Sequence, residues 1–121
     1  MEININCDLG EKSKHHPDKN DPELLSIVNT ASIACGYHAG DENTMREVIG
    51  MSIQNGVSFG AHPSFNDPEN FGRERMNLSA QEIEKLILDQ YNILQEIASK
   101  HGENVTHIKP HGALNNMACE D

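Results

Sequence analysis

Basic residues are scarce in this chain of 121 residues, which has nine Lys and Arg against nineteen Asp and Glu. The formal net charge of −10 argues against binding to nucleic acid or to an anionic membrane, because both require a positive surface. We therefore expect no nucleic-acid partner and no membrane partner. An anionic small molecule would need a local basic pocket.

Long apolar runs and cysteine pairs are also missing. No apolar stretch approaches the roughly 18 residues of a membrane helix, and the first residues lack the basic and apolar regions of a secretory signal. A cytoplasmic protein is the expectation. Cys7, Cys35 and Cys119 form no CxxC pair, so we expect small buried thiols and neither disulfides nor a cysteine zinc site.

Short apolar runs alternate with amphipathic segments along the whole chain. The runs at 3–8, 31–35, 57–61 and 105–109 predict strands, and helices are predicted to begin at Asp21, Asp41 and Ser79. Residues 12–20 lack periodicity and predict an exposed loop. This alternation predicts one α/β domain over residues 1–121, in which four parallel strands form about half of a (β/α) barrel.

Each predicted strand ends in a cluster of ionisable or polar residues. The clusters are Asn6-Cys7-Asp8-Leu9-Gly10-Glu11, Cys35-Gly36-Tyr37-His38-Ala39-Gly40-Asp41, Gly60-Ala61-His62-Pro63-Ser64 and Lys109-Pro110-His111-Gly112-Ala113-Leu114. In a parallel sheet all strand carboxyl ends emerge on one side. We therefore expect these clusters to meet at one rim and to form an active site.

A divalent metal is one ligand that this rim could bind, since two imidazoles and a carboxylate suit such an ion. If Ile3 and Ile5 pack outward against helices, Asp8 and Asn6 face the barrel interior, and Asp8 reaches the rim. The sequence thus favours Asp8, His38 and His62 as metal ligands. The alternative is that they are plain polar support of the rim.

Lys109 and His111 are the candidates for direct chemistry at the fourth strand end. Because Pro110 holds the backbone before it extended, the Lys109 ammonium could bind a carboxylate or stabilise an oxyanion. The alternative is a lysine that only extends into solvent. Glu11 is a carboxylate available as a general base.

Two further residues have both a functional and a structural interpretation. Asp41 could act as a base or contact a substrate, yet its place before a helix gives it a sufficient role as an N-cap. Arg73 could bind a carboxylate or phosphate, or it could pair with Asp67 or Glu69 in its own loop.

The motifs NCDLGE at 6–11, IACGYHAGD at 33–41, GAHPSF at 60–65, NFGR at 70–73 and HIKPHGAL at 107–114 resemble those of one known family in order and spacing. That family is the LamB/YcsF family, whose members form the A-subunit of 5-oxoprolinase, and the chain looks like its N-terminal half. The resemblance implies an irregular (β/α) barrel related to polysaccharide-deacetylase-like barrels.

The resemblance also implies a function, which is ATP-dependent opening of the 5-oxoproline lactam to L-glutamate together with 5-oxoprolinase subunits B and C. The chain has no Gly-rich Walker loop, so ATP is expected as a cofactor of the complex, with a divalent metal as a second candidate. The expected catalytic residues are Asp8, Glu11, Lys109 and His111. Substrate contacts are expected from Asn6, Asp41 and Arg73.

Two alternatives stay open. The same Asp8, His38 and His62 would also serve a metal-dependent deacetylase or amidohydrolase that acts alone. The chain could instead be an inactive fragment or scaffold, because an unclosed parallel sheet exposes edge strands through which it could bind another copy of itself.

Overall fold

The computed structural model describes residues 3–14 and 21–120, so part of the predicted loop at 12–20 lies outside the described residues. The elements are β1 (Asn6–Leu9), α1 (Asp21–Leu25), β2 (Thr30–Ala34), α2 (Glu42–Gln54), β3 (Ser58–His62), α3 (Ala80–Lys100) and α4 (Gly112–Glu120). The three strands are parallel and lie in the order β1-β2-β3. The predicted α/β fold is confirmed.

The hydrophobic core lies between one face of this sheet and the helices α2 and α3. Leu9 is in register with Ile33, which is in register with Ala61, and all three are fully buried. Ile49 of α2 and Leu94 of α3 complete the same cluster, also without exposure. Burial of each Leu or Ile side chain contributes about 1.5–3 kcal/mol.

The opposite face of the sheet is polar. Thr30 Oγ1 donates to Asn4 Oδ1 at 3.0 Å, and Ser32 Oγ lies 3.3 Å from His107 Nε2. Asp8 is in register with Ser32, so it belongs to this face. The polar side chains of the strands therefore face away from the helices, as the alternation in β1 predicts.

The three predicted helices are present, and α2 and α3 follow their predicted caps directly, whereas the Asp21 side chain accepts from Gly10 N. Asp41 accepts a hydrogen bond from Thr44 N at 2.8 Å, and Ser79 accepts one from Glu82 N at 3.2 Å. Both caps satisfy backbone donors that the first helical turn leaves without an internal partner. None of the described helices combines the length and the apolar character that crossing a bilayer requires.

The prediction of four strands is wrong in number, because 105–109 forms only an isolated parallel bridge between Ala61 and Ile108. The segment still runs beside β3, where Lys109 N donates to Ala61 O at 2.9 Å. The sheet as described has three strands and one accompanying segment. Closure into a barrel stays a prediction.

Two local features stop this segment from extending into a longer strand. At the carboxyl end, Lys109 O finds no N–H on Pro63, which is a proline, and accepts from the ring of His62 instead. At the other end, Val105 N donates to the side chain of Gln95 at 2.9 Å instead of to the sheet. Backbone hydrogen bonds to β3 therefore run from Thr106 to Lys109, and one more joins His111 N to Pro63 O.

Three side chains that we expected to be buried are exposed. Ile3 and Ile5 are 75% and 47% exposed, because the packing of the core against β1 begins only at Cys7. Cys119 is exposed on the last turn of α4, whereas Cys35 is buried and Cys7 is partly buried. The prediction of three buried thiols holds fully only for Cys35.

The helix α4 has no counterpart among the predicted elements. It follows His111 directly and buries Ala113 and Leu114 against Phe65. A glycine at its first position and its short length left no strong start signal in the sequence. This helix fixes the end of the segment that carries His111.

We expect Asp41→Ala to lower the free energy of unfolding by about 0.5–2 kcal/mol, because α2 loses its N-cap. Asp41→Asn is the matched control, since an asparagine oxygen can accept the same hydrogen bond from Thr44 N. Urea denaturation followed by circular dichroism measures both. Equal losses for Ala and Asn would show that the cap is not what stabilises the helix.

Candidate metal centre

Four buried side chains converge at the carboxyl ends of the strands. Each offers one ligand atom, and these atoms lie within 4.8 Å of one another: Glu11, His38, His62 and His111. Glu11 follows β1, His38 follows β2, His62 ends β3, and His111 precedes α4. The parallel topology therefore assembles a site from four separate parts of the chain.

Four of the six distances between the ligand atoms lie near the value expected around a metal ion, and all six are within 4.8 Å. Glu11 Oε1 lies 3.2 Å from His38 Nε2, 3.4 Å from His62 Nε2 and 3.7 Å from His111 Nδ1. His62 Nε2 and His111 Nδ1 are 3.0 Å apart. Metal–nitrogen bonds of 2.0–2.1 Å place tetrahedral ligands about 3.3 Å from one another. The four residues can hold a divalent metal.

Backbone carbonyls fix the tautomers of two of these histidines. His62 Nδ1 lies 2.6 Å from Lys109 O, and His111 Nε2 lies 2.8 Å from Phe71 O. A carbonyl oxygen only accepts, so each of these ring nitrogens must carry the proton. The remaining nitrogens, His62 Nε2 and His111 Nδ1, then present lone pairs to the centre.

This arrangement places several lone pairs together without an intervening proton. When both rings are neutral, the lone pairs of His62 Nε2 and His111 Nδ1 face each other across 3.0 Å, with Glu11 Oε1 beside them. A proton between the nitrogens would relieve one of these contacts. A divalent cation would relieve all of them, and this favours a metal.

The electrostatics of the cluster favour an ionised Glu11 and neutral His38 and His111. Burial alone would raise the pKa of Glu11, but hydrogen bonds and charge from His38 and His62 outweigh it and hold that pKa far below its usual range. Burial lowers the pKa of His38 despite the neighbouring Glu11. Burial, together with charge repulsion from His38, lowers the pKa of His111 to about 4. These are the protonation states that metal ligation requires.

The packing of His38 differs from that of the other two histidines. Its ring stacks on His111 with centroids 3.8 Å apart, and it is fully buried. Its Nδ1 has no hydrogen-bond partner among the described residues. With Nε2 as the ligand atom the proton lies on Nδ1, so His38 differs from His62 and His111 in having no described acceptor for its second nitrogen.

Asp8 and Lys109 form an ion pair at the solvent side of the cluster. Lys109 Nζ donates to Asp8 Oδ1 at 2.9 Å, and Asp8 Oδ2 lies 3.4 Å from His62 Nε2. The side chain of Asp8 is 34% exposed and that of Lys109 is 47% exposed, in contrast to the buried histidines. The pair therefore connects the buried cluster to solvent.

A buried amide on α3 holds the turn that follows His62. Gln90 Oε1 accepts from Ser64 N at 2.9 Å, and Gln90 Nε2 donates to Ser64 O at 2.8 Å. In the same turn Pro63 O accepts from His111 N at 2.8 Å. The turn thus connects both histidines to α3.

Gly72 lets the loop before α3 approach this turn closely. A Cβ built on Gly72 would lie 2.0 Å from Ser64 Oγ and 2.9 Å from His38 Cβ, and the residue has a φ of +67°. Any other residue would both clash and strain the backbone. The NFGR motif thus packs directly against the cluster.

The structure brings together two of the three predicted metal ligands, His38 and His62. Glu11 and His111, predicted as catalytic, occupy the remaining ligand positions, whereas Asp8 lies beside the cluster and pairs with Lys109. The metal-binding role of each residue stays a prediction.

The predicted substrate-binding residues lie outside the cluster. Asn6 is exposed on β1, and Asp41 caps α2. The Arg73 guanidinium carbon lies 5.2 Å from the centre of the Phe71 ring. The sequence did not predict a role for Phe71 or Gln90 at this site. The only signal for Phe71 is its position before Gly72 in the NFGR motif, and Gln90 has no signal.

Comparison with known proteins shows the family of the chain. The sequence profile of the LamB/YcsF family matches residues 3–121. The chain belongs to the LamB/YcsF family. It is also similar to the crystal structure of a lactam utilization protein from Thermus thermophilus, with 36% sequence identity and a TM-score of 0.93. The match covers 98% of this chain and 48% of that protein, so the chain spans about half of its length.

We expect the free energy of unfolding to fall as the pH is lowered from 6.5 towards 4. His111 has a folded pKa of about 4 against an ordinary 6.5, so between these values the unfolded chain binds a proton that the folded chain does not. The lowered pKa values of His38 and Glu11 act in the same direction. The loss due to these groups is on the order of 1–3 kcal/mol.

Denaturant unfolding of the metal-free chain over this pH range measures the effect. We expect His111→Gln to flatten the pH dependence. His101→Gln is the control, because His101 is exposed at the end of α3 and its ring bonds to Ile97 O of the same helix. A variant at position 111 with the pH dependence of the parent would contradict the assignment.

Proposed function

We propose that this chain provides a divalent-metal active site for the hydrolytic opening of a small lactam, as part of an ATP-dependent 5-oxoprolinase with subunits B and C. The observation that carries the proposal is the buried group of four converging ligand atoms. Membership of the LamB/YcsF family and the similarity to a lactam utilization protein support the choice of substrate class.

Glu11, His38, His62 and His111 would hold the metal. Three imidazoles and one carboxylate suit Zn²⁺ and similar first-row ions better than Mg²⁺ or Ca²⁺, which prefer oxygen ligands. Such an ion would supply Lewis acidity, which polarises an amide carbonyl or lowers the pKa of water. The burial of all four residues keeps bulk water away from the ligands.

Asp8 and Lys109 would perform the proton transfer and the charge stabilisation. The Asp8 carboxylate is partly exposed, so its Oδ2 can take a proton from an attacking water molecule. Lys109, 2.9 Å from Asp8, would stabilise the negative charge that develops on the lactam oxygen. Opening the ring then requires a proton on the leaving nitrogen, and the protonated Asp8 can return it.

The substrate carboxylate needs a separate positive group. Arg73 offers one, since its guanidinium is exposed and lies over the Phe71 ring beside the cluster. We retain Asn6 and Asp41 as candidates for further substrate contacts. ATP would be bound mainly by the partner subunits, because the chain has no Walker loop.

A second candidate function is a metal-dependent amidohydrolase or deacetylase that acts without ATP. The buried His and Glu cluster favours it, because such a site is sufficient for amide hydrolysis in principle. Hydrolysis of a linear amide or an acetylated substrate by the chain alone, dependent on added Zn²⁺, would support it.

The test of the leading proposal supplies subunits B and C, ATP and 5-oxoproline to the gene product that contains this chain, and measures L-glutamate. We expect glutamate formation, and we expect Lys109→Met to lower kcat/KM by about 100-fold or more, because the oxyanion loses its charged donor. Lys12→Met is the matched control, since Lys12 is an exposed lysine in the loop after β1.

Two outcomes would contradict the proposal. One is glutamate formation no greater than with the partner subunits alone. The other is a similar loss of activity in Lys12→Met and Lys109→Met, which would show that surface charge in general, and not the position of Lys109, supports the reaction. Circular dichroism of each variant confirms that the fold is intact.

A further inference from the structure

Phe71 has an unusual backbone conformation next to the metal centre. Its φ is +55°, and no other non-glycine residue in the ranges 3–14 and 21–120 has a positive φ. A left-handed backbone is strained for a residue with a bulky side chain, and such strain is concentrated at functional sites. The position would be easier for Gly or Asn, so the ring itself requires an explanation.

The Phe71 ring packs against two of the four candidate metal ligands. Its centroid lies 5.0 Å from those of both His38 and His111, with interplanar angles of 84° and 88°. The residue is only 3% exposed, and its ring also contacts Ala34 and Ala39. The ring is therefore fixed on several sides.

The carbonyl of Phe71 acts on the same histidine. Phe71 O accepts from His111 Nε2 at 2.8 Å, and this contact makes Nδ1 the nitrogen that faces Glu11 and His62. If the backbone at 71 turned to a right-handed or extended conformation, the carbonyl would point elsewhere. His111 would then be free to carry its proton on either nitrogen.

We propose that Phe71 is a positioning residue: its buried ring holds the backbone left-handed, so that its carbonyl selects the Nε2–H tautomer of His111 and leaves Nδ1 free to bind the metal. The inference deepens the proposed function and rests on its metal site. If the ring acted by packing alone, its loss would weaken the site directly. Here the direction of the Phe71 carbonyl controls the tautomer of His111.

Phe71→Ala and Phe71→Gly separate these two explanations. Alanine removes the ring and keeps the penalty for a positive φ, whereas glycine removes the ring and the penalty together. We expect Phe71→Ala to weaken Zn²⁺ binding by about 10- to 100-fold, the usual cost of losing the hydrogen-bond partner of a metal-binding histidine. We expect Phe71→Gly to weaken it less.

Competition with a chromogenic chelator measures Zn²⁺ affinity, and imidazole nitrogen NMR of the metal-free chain at neutral pH reports the tautomer of His111. We expect protonated Nε2 in the parent and a tautomer mixture in Phe71→Ala. The control is Phe59→Ala, because Phe59 is also 3% exposed but lies in the main core on β3. It should lose stability and keep the parent affinity and tautomer.

Several results would overturn the inference: parent affinity in Phe71→Ala, a loss in Phe71→Gly as large as in Phe71→Ala, or a parent His111 protonated on Nδ1. If Phe71→Ala does not fold, Phe71→Leu replaces it as the variant that keeps the penalty for a positive φ. Phe71→Asn then replaces Phe71→Gly, because Asn tolerates a positive φ better. A parent that binds no Zn²⁺ but shows the expected tautomers would refute the metal site and support the role of Phe71.

Discussion

The close approach of two histidine nitrogens is the constraint on which the rest of the site depends. His62 Nε2 and His111 Nδ1 lie 3.0 Å apart. A proton on either of these nitrogens would add a positive charge, or it would cost the ring its hydrogen bond to a backbone carbonyl. Two lone pairs at this distance repel each other in a buried site. The fold holds them there through the backbone, so the pair is preorganised for a cation.

The same backbone contacts that attach 105–109 to the sheet also build the site. Lys109 N donates to Ala61 O on β3, and Lys109 O accepts from the ring of His62, the next residue of that strand. One residue thus joins the segment to the sheet and fixes a candidate ligand. A single bridge suffices for this purpose, which explains why a short, interrupted strand can serve where a regular one was predicted.

The sequence predicted which strand ends meet, because hydrophobic alternation and helix caps are local signals. It favoured Asp8 over Glu11 as a metal ligand, whereas Glu11 belongs to the group of four converging ligand atoms. Alternation assigns Asp8 to the polar face of β1, but Gly10, with a φ of +69°, turns the chain beyond the strand, and periodicity no longer applies to Glu11. Likewise, the strain at Phe71 results from tertiary contacts with His38 and His111, which leave no pattern in the neighbouring sequence.

A bound metal would have a second effect in so acidic a chain. Glu11, Asp8 and Lys109 together leave the centre with a formal charge of minus one when the histidines are neutral, and the whole chain carries −10. The proposed substrate, a lactam that bears a carboxylate, would then be repelled over about 10 Å, the range of electrostatic interactions at moderate ionic strength. With a divalent ion the centre becomes positive, so the occupied cluster would attract the substrate anion that the rest of the surface repels.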